Sequence, residues 1–486
     1  MAPNFFKNRR VYLLATVAYM GSLLFASRKT SICRLALQAL PAPKMHVSSN
    51  VVSLLTAGCF FGAIAAAFLN ERFGRRYSLM FFAVIFLIGA AVQTAAHHEI
   101  GMIYAGRIIA GLGVGGMSSI TPVFVSENCP PNVRGRIAGL FQEFLVIGST
   151  FAYWLDYGVS LCIPVSTKQW RVPVAIQLIP GGLMLFGLLF LKESPRWLMK
   201  KGRHHEAAES LAHIRCETTD SPDVAKELAE IRAAIEEELN ATEGATWKEC
   251  LLPGNRYRFL TGFALMFWQQ FSGTNSIGYY APQIFQTVGL SKALHPCLQL
   301  ASTAQSRFGR KKSLIFGALW MSGMMFIIGA VLATHPPNNL GSVSHASIAM
   351  VVMIYLYVIG YAASWGPVPW VYLSEIFPTR LRAYGVGMGA ATQWLFNFVI
   401  TKITPEAVNH IKWRTFLMFA IFCLGMCVFA FFFIKETKGR SLEDMDILFG
   451  AVNAEQRAED VERVLASEKG AVQMDESSVD MTRRKS

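Results

Sequence analysis

Arg72-Phe73-Gly74-Arg75-Arg76 stands between two apolar runs, and Arg307-Phe308-Gly309-Arg310-Lys311 repeats it in the second half of the chain. Two further signatures recur in the same order. Ser126-Glu127, with Arg134 seven residues after the glutamate, is matched by Ser374-Glu375 with Arg382 at the same spacing. Lys192-Glu193-Ser194 is matched by Lys435-Glu436-Thr437. Three ordered pairs imply a duplicated half. Gly74 and Gly309 permit tight turns between flanking helices, and the basic residues around them can face lipid phosphates or pair with a glutamate at the end of another helix.

Working outward, the material between these turns is apolar. Hydrophobic residues make up 53% of the 486 residues and charged ones 16%, against roughly 25% charged in soluble chains. A mean hydropathy of +0.36 leaves too little polar surface to coat several globules, so the chain belongs in a bilayer. Disordered and disulfide-scaffold classes fail the same test, because the nine cysteines are scattered through apolar stretches. The net charge of +13 falls in short clusters between apolar runs rather than on one basic face, which excludes a nucleic-acid partner.

Runs of about 20 residues, enough to cross the hydrocarbon core as helix, lie near 51–69, 79–96, 102–125, 137–157, 174–191, 259–285, 314–333, 348–373, 384–403 and 416–434, after a shorter run at 11–26. Basic connections stay cytoplasmic, so both termini are expected inside and the first run acts as an uncleaved anchor. Residues 1–191 and 259–434 form the two membrane bundles, 192–258 a charged cytoplasmic helical loop, and 435–486 a polar cytoplasmic tail. Within the loop, Ser221-Pro222-Asp223 starts a helix with Pro at its first position, and Leu228, Ile231, Ile235 and Leu239 recur on one face. Arg107 is costly at membrane depth and demands a partner.

With these residues in place, the chain resembles the sugar porter family of the major facilitator superfamily, in particular fungal sugar and quinate permeases. The motifs are the Arg-Phe-Gly-Arg-Arg turn, Gly106-Arg107-Ile108-Ile109-Ala110-Gly111, Arg134-Gly135-Arg136, Glu193-Ser194-Pro195-Arg196-Trp197, Gln269-Gln270-Phe271-Ser272-Gly273-Thr274-Asn275, Gly366-Pro367-Val368-Pro369-Trp370 and Glu436-Thr437-Lys438-Gly439-Arg440. The resemblance implies an all-α polytopic protein of two six-helix halves rocking about a midplane site, on the plasma membrane, with no enzymatic chemistry, cofactor or metal.

A polyol needs neutral hydrogen-bonding groups and an apolar wall. By resemblance Gln142, Gln269, Gln270, Asn275 and Tyr279 contact substrate hydroxyls and Trp370 stacks on the ring, with Gln393 and Asn397 as further candidates. The spacing of Gln270, Asn275 and Tyr279 predicts one shared helical face. Intramembrane amides also serve as glue between helices, and that reading stays open beside the functional one. Arg72, Arg75, Arg76, Glu127, Arg134, Glu193, Arg307, Arg310, Glu375, Arg382 and Glu436 compose a cytoplasmic gate, and the Gly366–Pro369 break is a second gating point. Arg107 is the coupling residue that the resemblance implies. The partners are a sugar or quinate-like polyol, the bilayer and, in a coupled carrier, a proton. The aspartate that would accept that proton is replaced by Phe25-Ala26-Ser27, with Glu143 as an alternative carboxylate.

Two stretches depart from the pattern. Arg28, Lys29, Arg34 and Lys44 fall beyond the outer end of a short first run, which reads as a truncated first helix. Leu290 to Ser306 is too short and polar to span, and the eighth helix reads as missing. The alternatives to a working carrier are a nutrient sensor on the same fold, disfavoured by the short tail, and an aberrant, non-functional product of a permease gene.

Overall fold

The computed structural model describes residues 9–26, 45–96, 100–130, 137, 144, 147–148, 150–152, 154–159, 161–164, 166–242, 253–277, 309–335, 345–377, 379–437 and 449. Among the described residues every regular element is a helix. In chain order they are α1 Arg9–Ala26, α2 Met45–Phe73, α3 Arg75–Ala95, α4 Ile100–Asn128, α5 Thr167–Ile176, α6 Leu178–Phe190, α7 Pro195–Lys200, α8 His204–Arg215, α9 Pro222–Thr242, α10 Pro253–Phe271, α11 Arg310–Thr334, α12 His345–Ala363, α13 Val368–Ile376, α14 Thr379–Ile411 and α15 Arg414–Phe433. Seven described segments are long and apolar enough to cross a membrane. With only 18 residues, α1 is about 27 Å long. Residues 138–143, 145–146, 149 and 153 of the run 137–157, and all of 290–306, lie outside the described residues.

Two hydrophobic clusters organise the chain. One gathers α1, α2, α3, α4 and α6 around Tyr19, Phe82, Phe86 and Phe124. The other gathers α10 to α15 around Trp365, Tyr357, Tyr372 and Phe377. A third, smaller one lies between α7, α8 and α9, where Trp197, Leu211 and Ile231 are buried with Leu228 and Ile235 packed beside them.

Lipid tails are as apolar as leucine, so membrane helices associate by close packing rather than by burial from water. The sequence of α4 is built for this. Gly111 and Gly115 face α2, which answers with Gly58 and Gly62. A Cβ on Gly115 would stand 2.0 Å from the Cys59 carbonyl oxygen, and one on Gly62 would stand 2.2 Å from that of Leu112. Its other flank packs on α3, where Gln93 Nε2 donates 3.0 Å bonds to the carbonyls of Gly89 and Gly106. Early and late helices meet along α2 and α14, and Trp394 of α14 is buried in the first cluster.

Candidate functional site

Two constructions stand out, one at the repeated turns and one where two helices break.

At the first turn, Gly74 has φ +94°, a conformation that side-chain-bearing residues avoid, and a Cβ there would meet Glu193 Oε2 at 2.5 Å. The space belongs to the carboxylate. Glu193 accepts the backbone N–H groups of Arg75 at 3.0 Å, Arg76 at 3.0 Å and Ser194 at 2.9 Å, which places a negative charge on the N-terminus of α3, where the unpaired amides and helix dipole favour it. Arg75 itself turns to α4 and holds Glu127 with 2.9 Å and 3.0 Å bonds. Arg76 donates to the carbonyls of Leu188 and Leu189 at 2.9 Å and 2.8 Å, at the C-terminus of α6. Ser194 donates to Glu127 at 2.5 Å and caps α7 by accepting from Trp197 N–H, with Pro195 at the first helical position. Trp197 Nε1 reaches the Glu71 carbonyl at 3.2 Å. Glu193-Ser194-Pro195-Arg196-Trp197 is therefore a clasp binding the ends of α2, α3 and α4 together.

The second turn repeats the carboxylate's contacts, with Gly309 in an ordinary extended conformation at φ −61°. Glu436 accepts the N–H groups of Arg310 at 2.8 Å and Lys311 at 3.1 Å, at the N-terminus of α11, and a Cβ on Gly309 would lie 2.4 Å from its Oε2. Arg72 lies over the Phe73 ring at 5.6 Å and makes no ion pair among the described residues. Arg134 and Arg307 lie outside the described residues, as do the side chains of Glu375 and Arg382.

Burial raises the Glu193 carboxyl above its ordinary value of 4.5, because desolvation of the charged form outweighs the amides of Ser194, Arg76 and Arg75 and the charge of Arg75. The folded chain then holds this proton to higher pH than the unfolded chain. Its contribution to stability is full at pH below 4.5 and is lost as pH rises through the raised folded value. The thermal midpoint of the wild type minus that of Glu193→Gln is expected to fall from about pH 4 to about pH 8; a pH-independent difference would contradict the shift.

The second construction lies at the end of α10. The helix stops at Phe271, Gly273 takes φ +89° against the Phe419 ring, and a single helical turn follows at 274–277. Gln270 and Asn275 do not share one continuous helical face, contrary to the spacing argument. The break brings them together instead, with Asn275 Nδ2 donating to Gln270 Oε1 at 2.5 Å. The helix α12 also breaks, at residues 364–367, before α13 begins. Gln269 Nε2 joins the two breaks, donating to the freed carbonyls of Trp365 at 2.8 Å and Gly366 at 3.0 Å, as membrane helix breaks require. Gln270 Nε2 leans on Gln269 Oε1 at 3.4 Å. Tyr357 supports the floor, donating to the Ser272 carbonyl at 2.7 Å and bonding the Thr274 hydroxyl at 2.8 Å. Asn397 on α14 is buried and accepts from Thr401 at 3.2 Å. Gln393 Oε1 is buried with no hydrogen-bond partner among the described residues, an acceptor available to a hydroxylated ligand. Trp370 is 38% exposed and belongs to neither cluster. Arg107 is buried in α4. Gln142, Glu143 and Tyr279 lie outside the described residues.

Two broken helices joined by a cluster of amides, with charged turns at the helix ends, are the pattern of a membrane transporter. The chain belongs to the sugar (and other) transporter family, whose model matches residues 15–449; the proteins it resembles are permeases and transporters rather than enzymes, and it is a multi-pass membrane protein. It is similar to a probable quinate permease of Aspergillus clavatus, 37% identical over 92% of this chain and 89% of that protein. It is also similar to the quinate permease of Emericella nidulans, 35% identical over 92% of this chain and 90% of that one. Among solved structures, the inward open conformation of the xylose transporter XylE from E. coli superposes with a TM-score of 0.72 at 27% identity, over 90% of this chain and 99% of that one. The proton:xylose symporter XylE bound to 6-bromo-6-deoxy-D-glucose gives 0.71 at 27%, over 91% and 99%.

Proposed function

We propose that this sugar-porter chain carries a quinate-type cyclic polyol acid across the plasma membrane by alternating access, with both termini and the segment 192–258 in the cytoplasm. The observation that carries the reading is the amide cluster of Gln269, Gln270 and Asn275 at the meeting of two helix breaks. Neutral amides match ring hydroxyls, and broken helices permit the rearrangement that transport needs. The quinate permeases among its relatives support the substrate class. In this reading the Glu193 and Glu436 turns brace the cytoplasmic ends of the two bundles while the halves move, and Gln142, Tyr279, Trp370, Gln393 and Asn397 complete the binding surface.

The carrier works by facilitated diffusion. No aspartate or glutamate occurs in α1, the helix on which the resemblance to coupled carriers places the proton-accepting aspartate. Labelled quinate and glucose uptake in transporter-deficient yeast, with and without a protonophore, tests all parts. Saturable quinate uptake that survives the protonophore is expected, with Gln270→Ala lowering it about tenfold at equal surface abundance, the worth of one to two hydrogen bonds. Uptake abolished by the protonophore would overturn the uncoupled mechanism, and no uptake of either compound by correctly localised protein would overturn the reading.

A further inference from the structure

Lys402 is the one charged residue of α14 between Arg382 and Glu406, which follows it one turn later. The helix has 33 residues, about 50 Å, against a hydrocarbon core of about 30 Å. At about 1.5 Å per residue, Lys402 stands about 30 Å along the axis from the basic turn at Arg382. That position is the far end of the bundle from the Gly74 and Gly309 turns.

Its ammonium crosses from α14 to α2 and donates a hydrogen bond to Asn50 Oδ1. Trp394 lies two turns earlier on the same i, i+4, i+8 stripe and is buried in the cluster of the early helices, so the stripe faces the other half of the molecule. On the neighbouring stripe, Gln393, Asn397, Thr401 and Thr404 follow one another. Thr404 Oγ1 bonds Ser276 Oγ at 2.7 Å, one residue from Asn275, which donates to Gln270. A polar track thus runs from the amide cluster to the seam where Lys402 meets Asn50.

At the end of a span a lysine ordinarily snorkels to the interface, whereas Lys402 turns across the seam to another helix, where a ligand passing between the halves would meet it. The amide oxygen of Asn50 is a neutral acceptor, and a carboxylate makes a shorter, roughly twice as strong bond to an ammonium. We propose that Lys402 is the specificity-determining cation of this carrier, exchanging Asn50 for the carboxylate of a hydroxylated-ring acid and so selecting it over neutral sugars. The proposal rests on the reading of the chain as a carrier of such acids.

Quinate and its uncharged methyl ester share one ring and separate the charge from the hydroxyls. In yeast expressing the full chain, Lys402→Gln is expected to raise the KM for quinate tenfold or more while changing the ester's KM and the maximal rate per surface carrier less than twofold; Lys402→Arg is expected to keep the preference for quinate. Asn50→Asp, which replaces the neutral acceptor that Lys402 gives up by a carboxylate, is expected to raise the KM for quinate alone, and decides the matter should Lys402→Gln not reach the surface. An unchanged quinate KM in both variants, or equal shifts for acid and ester, would reduce Lys402 to a tie between helices. Wild-type protein that transports both compounds with equal KM would overturn the Lys402 assignment alone, whereas wild-type protein that transports neither would overturn the functional reading as well.

Discussion

Gly115→Leu is expected to leave no monodisperse, folded carrier, whereas Gly101→Ala, where a Cβ meets nothing within 4 Å, is expected to behave as wild type. The obstruction at Gly115 is the Cys59 carbonyl oxygen, 2.0 Å from the added Cβ, and a backbone carbonyl inside a helix cannot rotate away. Nor can α2 retreat. Gly58 and Gly62 sit 2.4 Å and 2.2 Å in Cβ terms from the carbonyls of Ile108 and Leu112, so the whole interface is set at glycine distance. Overpacking in a core costs about 1–3 kcal/mol where side chains can adjust. Here the two backbones would have to separate, removing the dispersion contacts that drive helix association in lipid. The cost is then a large part of a total stability of about 5–15 kcal/mol. Fluorescence-detected size exclusion of a tagged protein checks this, and a monodisperse Gly115→Leu with an unmoved thermal midpoint would show that α2 and α4 part freely.

That interface also shows where reading the sequence stops. Gly106-Arg107-Ile108-Ile109-Ala110-Gly111 identified a family, but its physical content lies in which helices adjoin α4, and a single chain of letters does not say that. A signal was available: Gly58/Gly62 and Gly111/Gly115 are both small-x-x-x-small pairs, the spacing by which membrane helices approach closely. The duplicated turns were legible because Arg-Phe-Gly-Arg recurs at 72–75 and 307–310 and the amides of the helices that follow need an acceptor. The acceptor's partner was not. Charge alone suggests that Glu193 pairs with an arginine side chain, whereas the structure aims it at the backbone N–H groups of Arg75 and Arg76 and leaves the Arg75 guanidinium to Glu127. Helical spacing likewise joined Gln270 to Asn275 for a reason the break at Gly273 removes. Positive φ at a glycine within an apolar run has no periodic signature. Lys402 passes a hydropathy reading as an ordinary end of a span, and only its reach to Asn50 gives it a place.

Glu193→Ala and Glu436→Ala are expected to lower the thermal midpoint strongly, each by loosening one half of the duplicated clasp. Removing the Glu193 carboxylate leaves three backbone donors, those of Arg75, Arg76 and Ser194, without their acceptor. A buried donor left unsatisfied costs about 1–3 kcal/mol, and partial rehydration of the turn reduces the sum, so a loss of about 3 kcal/mol is expected for Glu193. Glu436 serves the two amides of Arg310 and Lys311, for which about 2 kcal/mol follows on the same basis. At about 2–4 °C per kcal/mol, Glu193→Ala should melt about 6–12 °C below wild type in detergent. Gly74→Ala should fall with it, because its Cβ would occupy the carboxylate's place, 2.5 Å from Oε2, at φ +94°. An unmoved midpoint in Glu193→Ala would mean that water replaces the carboxylate without loss. The double variant carries the further information. Glu193 and Glu436 sit on different bundles and share no partner in the described contacts, so their effects should add to within about 0.5 kcal/mol. A larger departure from additivity would show that the two clasps are coupled through the seam between α2 and α14, as a single closed gate would require.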